Sequence, residues 1–173
     1  LRRVEDSRLL LRWRGAYAEP SLRQSLHGYF AAQGISPERI ELRGDCGAEH
    51  PLAVYHDVDI TLDPHPYSGS TVTFESLWMG VPVVTWPADA MVGRWSAALL
   101  GHLGLEPLIA AGPDDYVDRA AALAASAEWR SRLRTTLRQR VMASSLCDGA
   151  AKTRQVERLY RAFWRRWCKA RNV

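Results

Sequence analysis

The stretch from Asp63 to Thr85, Asp-Pro-His-Pro-Tyr-Ser-Gly-Ser-Thr-Val-Thr-Phe-Glu-Ser-Leu-Trp-Met-Gly-Val-Pro-Val-Val-Thr, constrains the fold more than any other part of the chain. It reads as a strand end, a turn of glycine and hydroxyl residues, a short helix and a second strand. Two strands joined through a helix run parallel, because a tight hairpin cannot connect them. The turn sets Gly69, Ser70, Thr71 and Thr73 at a helix N-terminus, where unpaired N–H groups and the positive end of the dipole attract anions. A nucleotide diphosphate is the ligand this pattern suits. The same residues also suit a plain helix cap, with Glu75 closing a capping box.

The flanking sequence repeats the alternation. Arg8 to Trp13 reads as a buried strand. Leu22, Leu26, Tyr29 and Phe30 recur at helical spacing in the segment after Pro20. Ser36-Pro37-Glu38 opens a turn before a strand at Arg39 to Leu42, Leu52 to Tyr55 reads as a helical turn, and Val58 to Leu62 as a β-branched strand. Thr71 to Met79 is the expected helix, with Gly80 just past its end where positive φ is often needed, and Val81 to Thr85 is the next strand. Helices are expected over Met91 to Leu103, from Pro113 through Ala124, over Ala127 to Met142 and over Gly149 to Lys169, with a short strand or extended turn at Pro107 to Ile109. This order predicts an α/β fold, a Rossmann-like parallel sheet with flanking helices, in a single domain over residues 1–173. The opening strand arrives with no capping segment before it, so the start reads as a cut through a larger protein.

Composition narrows the functional classes. At 47% apolar and 24% charged residues the chain is ordinary for a globular domain, and no apolar run approaches the roughly 20 residues of a membrane span. No signal peptide is evident, and Cys46, Cys147 and Cys168 are too few for a disulfide framework, so a reducing cytoplasm is the expected location. Cys147 reads as a buried, neutral thiol. The net charge of +4 is concentrated near the C-terminus, at Arg154, Arg158, Arg161, Arg165, Arg166, Lys169 and Arg171. Without a nucleic-acid motif this reads as a solvated helix face, and neither nucleic acid nor membrane is an expected partner. Asp57 and Asp59 lie two apart, but no His or Cys completes a metal set. His27, His56, His65 and His102 are isolated, and most of the seven tryptophans, Trp164 and Trp167 included, read as packing residues.

The motif from Val58 to Thr85 closely resembles the signature of O-linked N-acetylglucosamine transferases, including bacterial homologues and the SPINDLY-type proteins. The likeness continues through Met91 to Leu100, Gly104 to Ala110, Tyr116-Val117, Ser144 to Gly149 and Val156 to Trp164, nearly the whole chain. It implies the C-terminal half of a GT-B glycosyltransferase, the half that holds the nucleotide sugar, in proteins that carry tetratricopeptide repeats upstream. By resemblance the diphosphate lies on Gly69 to Thr73. Thr71 matches the first of a family Thr pair, and Val72 replaces the second, leaving only its backbone N–H. Glu75 falls at the position of an acidic ribose ligand, and His50 resembles a histidine flanking the base. Arg94 and Trp95 are secondary candidates for the sugar or acceptor groove.

The parent reaction implied is transfer of N-acetylglucosamine from UDP-N-acetylglucosamine to Ser or Thr of a protein acceptor, with no cofactor and no metal. A GDP-fucose-dependent O-fucosyltransferase and a non-catalytic interaction module stay open. The family's phosphate-neutralising basic residue and its catalytic histidine fall outside these residues, so no catalytic residue is assigned and the chain alone is expected to be silent. Its last helix is expected to pack back across the sheet or toward the missing half. Strand edges left bare by the cut would favour self-association.

Overall fold

A computed structural model describes residues 1–44 and 50–171, with no side-chain description for residue 14. Strand β1 (Leu9–Arg12) leads through a 3₁₀ turn to α1 (Pro20–Ala32) and then to β2 (Ile40–Arg43), which pairs parallel with β1 in the register Leu9 to Ile40 and Leu11 to Leu42. Ile40 and Leu42 face inward, where Ile35, Leu9, Leu11, Leu26 and Phe30 gather around them. Pro20 enters α1 at its first turn, and the Glu19 carboxylate accepts the Ser21 N–H at 3.3 Å.

The second βαβ unit runs from β3 (Thr61–Leu62) through α2 (Thr71–Trp78) to β4 (Val83–Val84), again parallel. A parallel bridge from Thr85 to Ile109 extends it by a third segment. Helices α3 (Trp95–His102), α4 (Pro113–Ala125) and α5 (Ala127–Ala143) complete the packing, and α6 (Gly149–Arg171) ends the described chain. Leu77, Val83, Val84, Leu100, Leu108, Leu123, Leu137 and Val141 form the larger core and are inaccessible to solvent. The α/β class and the parallel pairings match the sequence reading. The single sheet does not: among the described residues there are two two-stranded parallel sheets.

The strands are shorter than expected because their ends make other bonds. The Val58 carbonyl accepts from the Arg134 guanidinium at 3.2 Å. Val81 donates to the Ser76 carbonyl at 2.8 Å, and Pro82 has no N–H to give. The helix expected over Met91 to Leu103 divides into a 3₁₀ turn at Met91–Gly93 and α3, since the chain halts at Gly93 against the Pro66 segment. The expected turn at Leu52 to Tyr55 is a 3₁₀ turn at Ala53–Asp57.

The last helix departs furthest from expectation. No residue of α6 is buried, and Val156, Leu159, Tyr160, Phe163, Trp164 and Trp167 are exposed, so it packs across neither sheet. Trp164 and Trp167 stack on each other, centroids 5.1 Å apart, rather than in a core. Trp13 is exposed as well, and so is Cys147, against the expectation of a buried thiol. No described helix is long and apolar enough to cross a membrane.

Helices α1, α2 and α3 end alike, each followed by a glycine at positive φ: Gly34, Gly80 and Gly104. At α2 the Gly80 N–H bonds the Leu77 carbonyl and the Val81 N–H bonds that of Ser76, the Schellman pattern. Gly80 has φ +79°, and a Cβ there would lie 2.5 Å from the Arg134 carbonyl oxygen on α5. Gly80→Ala is therefore expected to lower stability by about 2 kcal/mol or more, through left-handed strain and collision with backbone, as measured by urea denaturation.

Candidate functional site

The turn before α2 is built around the carboxylate of Asp63. This residue follows β3, its N–H bonds the Val84 carbonyl at 2.9 Å, and its side chain is only 4% exposed. Oδ1 accepts the Gly69 N–H at 2.7 Å. Oδ2 accepts two hydroxyls, Ser68 Oγ at 3.0 Å and Thr85 Oγ1 at 2.6 Å. A buried carboxylate needs such donors, since each unmet acceptor in a dry site is costly. The Tyr116 hydroxyl, from α4, donates to the Asp63 carbonyl at 2.9 Å.

A second ring of polar contacts joins the turn to α3. The Ser96 N–H donates to Ser68 Oγ at 2.9 Å, Ser96 Oγ donates to the Gly69 carbonyl at 3.0 Å, and the Ser96 and Thr73 hydroxyls lie 2.7 Å apart. The Ser68 N–H bonds the Val92 carbonyl, and Gly93 lets the Pro66 carbonyl approach to within 2.5 Å of where a Cβ would sit. The turn is thus held from the sheet side by Asp63 and from the α3 side by Ser96.

Above this framework α2 begins without a cap. Among the described residues no side chain bonds the N–H groups of its first turn, and none of the Thr71, Val72 and Thr73 N–H groups has an acceptor. Ser70, Thr71 and Val72 are exposed there, so the Thr71 and Val72 donors reach the surface, whereas Thr73 is buried. Not every expected site residue faces outward. The Thr73 side chain, 1% exposed, spends its hydroxyl on Ser96, and the Gly69 N–H is turned inward to Asp63, which corrects the expectation that both line a ligand.

Glu75 lies half-buried one turn along α2, beside the Tyr55 hydroxyl, which donates to the Val72 carbonyl at 3.1 Å. Burial, and then the nearby charge of Glu75, push the Tyr55 phenol up to about 12. Burial, and then Asp63, also raise the Tyr116 phenol. His50 is exposed and its Nδ1 accepts the Leu52 N–H at 3.2 Å, with residues 45–49, Cys46 included, outside the described chain. Arg94 is exposed immediately before α3, while Trp95 meets Tyr67 edge to face with centroids 6.0 Å apart. Asp57 lies on a 3₁₀ turn and pairs with Arg43 at 2.7 Å. A shallow depression lined by Asp59, Gly80, Pro82, Arg130, Ser131 and Arg134 lies at the opposite end of α2.

The expected ligand contacts centred on the exposed hydroxyls, and the inward network of Asp63, Ser68, Thr85, Ser96 and Tyr116 was missed. A signal for it was present: Thr85 closes an otherwise apolar Val-Pro-Val-Val run, and a hydroxyl at such a buried position needs a polar partner.

Comparison with known proteins gives this arrangement a setting. The profile of Glycosyl transferase family 41 matches residues 1–156. A probable UDP-N-acetylglucosamine–peptide N-acetylglucosaminyltransferase SPINDLY from Solanum lycopersicum is 39% identical over 166 residues, covering 95% of this chain and 18% of the relative. Its Arabidopsis thaliana counterpart is 33% identical over 167 residues, covering 96% of this chain and 18% of its own length. Among solved structures, an O-GlcNAc transferase mutant from Thermobaculum terrenum superposes with a TM-score of 0.86 at 36% identity, over 94% of this chain and 31% of that one. The chain therefore spans less than a fifth of the curated relatives named and about a third of the solved structure.

The two shifted phenols have a measurable consequence. A raised folded-state value favours the protonated form, so the stability it contributes is complete below the ordinary tyrosine value of about 10 and is lost as pH rises beyond it. For Tyr55 that loss falls between about 10 and about 12. In a tyrosinate absorbance titration, two of the six tyrosines are expected to ionise late, and denaturant is expected to abolish the lag.

Proposed function

Because the chain belongs to glycosyl transferase family 41, we propose that it is the donor-binding part of a protein O-glycosyltransferase, a Rossmann-like portion of a GT-B catalytic region. The observation that carries this reading is the uncapped start of α2, where the exposed Thr71 and Val72 N–H groups have no acceptor among the described residues. A diphosphate supplies the missing acceptors and meets the positive end of the helix dipole. Thr71 adds an exposed hydroxyl beside them, and Val72 contributes through its backbone alone. Glu75, with Tyr55 at its side, offers a carboxylate to the ribose hydroxyls one turn further on. His50 is assigned to the base.

The donor in this reading is UDP-N-acetylglucosamine and the acceptor a Ser or Thr of a protein, in keeping with the names of the relatives. The role is binding and orientation. Fixed donors aimed at a departing diphosphate stabilise the charge that develops on it, while turnover also requires an oriented acceptor hydroxyl, which no residue assigned here supplies. The chain by itself is proposed to hold donor without turning it over.

Calorimetry on the full-length protein with UDP, and with GDP as the competing choice, tests the assignment. Saturable UDP binding is expected, weakened about fivefold to tenfold in Thr71→Ala and in Glu75→Ala, the scale of one lost hydrogen bond in each case. Preference for GDP would transfer the proposal to a fucose donor, and binding of neither nucleotide would remove the donor role in favour of an interaction module.

A further inference from the structure

We propose that Asp63 is a positioning residue for donor binding, fixing the Gly69 peptide so that the next N–H groups converge on the diphosphate; this rests on the nucleotide-sugar reading above. A Cβ at Gly69 would lie 2.7 Å from Thr73 Oγ1 and 3.2 Å from Asp63 Oδ1, so any larger residue there would displace one of these side chains. The same lack of a side chain makes its backbone the joint most free to turn, immediately before the open end of α2. The structure holds that joint on both sides. Asp63 Oδ1 accepts its N–H at 2.7 Å, and Ser96 Oγ donates to its carbonyl at 3.0 Å.

The other carboxylate oxygen gives the clamp its reference frame. Oδ2 takes the hydroxyl of Thr85, directly after β4, at 2.6 Å and that of Ser68 at 3.0 Å, and Ser68 in turn receives the Ser96 N–H. One side chain therefore ties the turn to the sheet and, through Ser68, to α3. Asp63 touches no ligand in this arrangement. It commits the Gly69 N–H inward and so leaves those of the exposed Thr71 and Val72 facing outward as a pair. Without it the Gly69 peptide is free to rotate, and donor binding must supply the ordering that the carboxylate now provides.

The test compares variants that share lost stability and differ at Gly69, using UDP calorimetry and thermal melting of the full-length protein. Asp63→Ala is expected to raise the UDP Kd about tenfold. Asp63→Asn retains an oxygen for the Gly69 N–H and is expected to bring the Kd back to within about threefold of wild type. Thr85→Val loses the bond to Oδ2 alone, so its melting temperature falls while its Kd stays within about threefold. Faster hydrogen exchange at Gly69 in Asp63→Ala, and not in Thr85→Val, reports the freed peptide directly. Should Asp63→Ala fail to fold, Ser96→Ala removes the shorter of the two hydroxyl contacts to the Gly69 carbonyl, leaving Ser68 Oγ at 3.2 Å, and is expected to raise the Kd about fivefold. Wild-type affinity in folded Asp63→Ala, or in Ser96→Ala where the first does not fold, overturns the proposal. So does a Kd that merely tracks melting temperature across the series. Either result leaves the donor site standing if wild type binds UDP, whereas a wild type that binds neither UDP nor GDP removes both.

Discussion

The carboxylate of Asp63 is the constraint on which the arrangement around α2 depends. It lies where a strand ends and an irregular turn begins, the place where backbone groups lose their ladder partners and must find others. Three donors reach it from two segments: the Gly69 N–H and the Ser68 hydroxyl from the turn, and the Thr85 hydroxyl from directly after the neighbouring strand. Their convergence turns a short parallel sheet into a platform with a defined edge. Strands of two residues each supply few ladder bonds, so side-chain bonds at the end of the sheet carry much of the work of fixing the turn.

Around this polar centre the apolar packing is simple. Leu77 and its neighbours on α2 rest on Val83 and Val84, and α5 closes the other side through Leu133, Leu137 and Val141. Gly80 lets α5 pass close to the end of α2, and Gly93 lets the 3₁₀ turn before α3 pass close to Pro66. The helix that offers its N-terminus to solvent is therefore gripped along its length and at its far end. That combination favours function: open donors are useful for recognition only when the element bearing them does not move to satisfy them internally.

Much of this was legible in the sequence, for identifiable reasons. The bounds of α2, the role of Gly80, the start of α4 at Pro113 and the parallel pairings follow from local rules of capping, turn chemistry and crossover connection. Thr71, Val72 and Ser70 emerge at the exposed start of α2 where the turn pattern placed them. The errors arose where tertiary contacts decide. Thr73 points inward because Ser96, twenty-three residues away, takes its hydroxyl. β3 shortens because Arg134 on α5 claims the Val58 carbonyl. The tryptophans of α6 show helical spacing suited to packing, yet spacing fixes only that they share a face and not whether anything covers it.

The separation of the two apolar clusters bears on how the chain comes apart. Ile35, Ile40 and Leu42 form a core with the first βαβ unit that shares no residue with the larger core around Leu77 and Leu137. Among the links between the two regions are the Arg43–Asp57 and Arg3–Asp118 ion pairs, both substantially exposed. Pairs of that kind contribute roughly 0–1 kcal/mol, which is too little to force two cores to melt as one. Local opening of the β1–α1–β2 unit is then expected without loss of the Asp63 platform, and a single unfolding midpoint would average over the two.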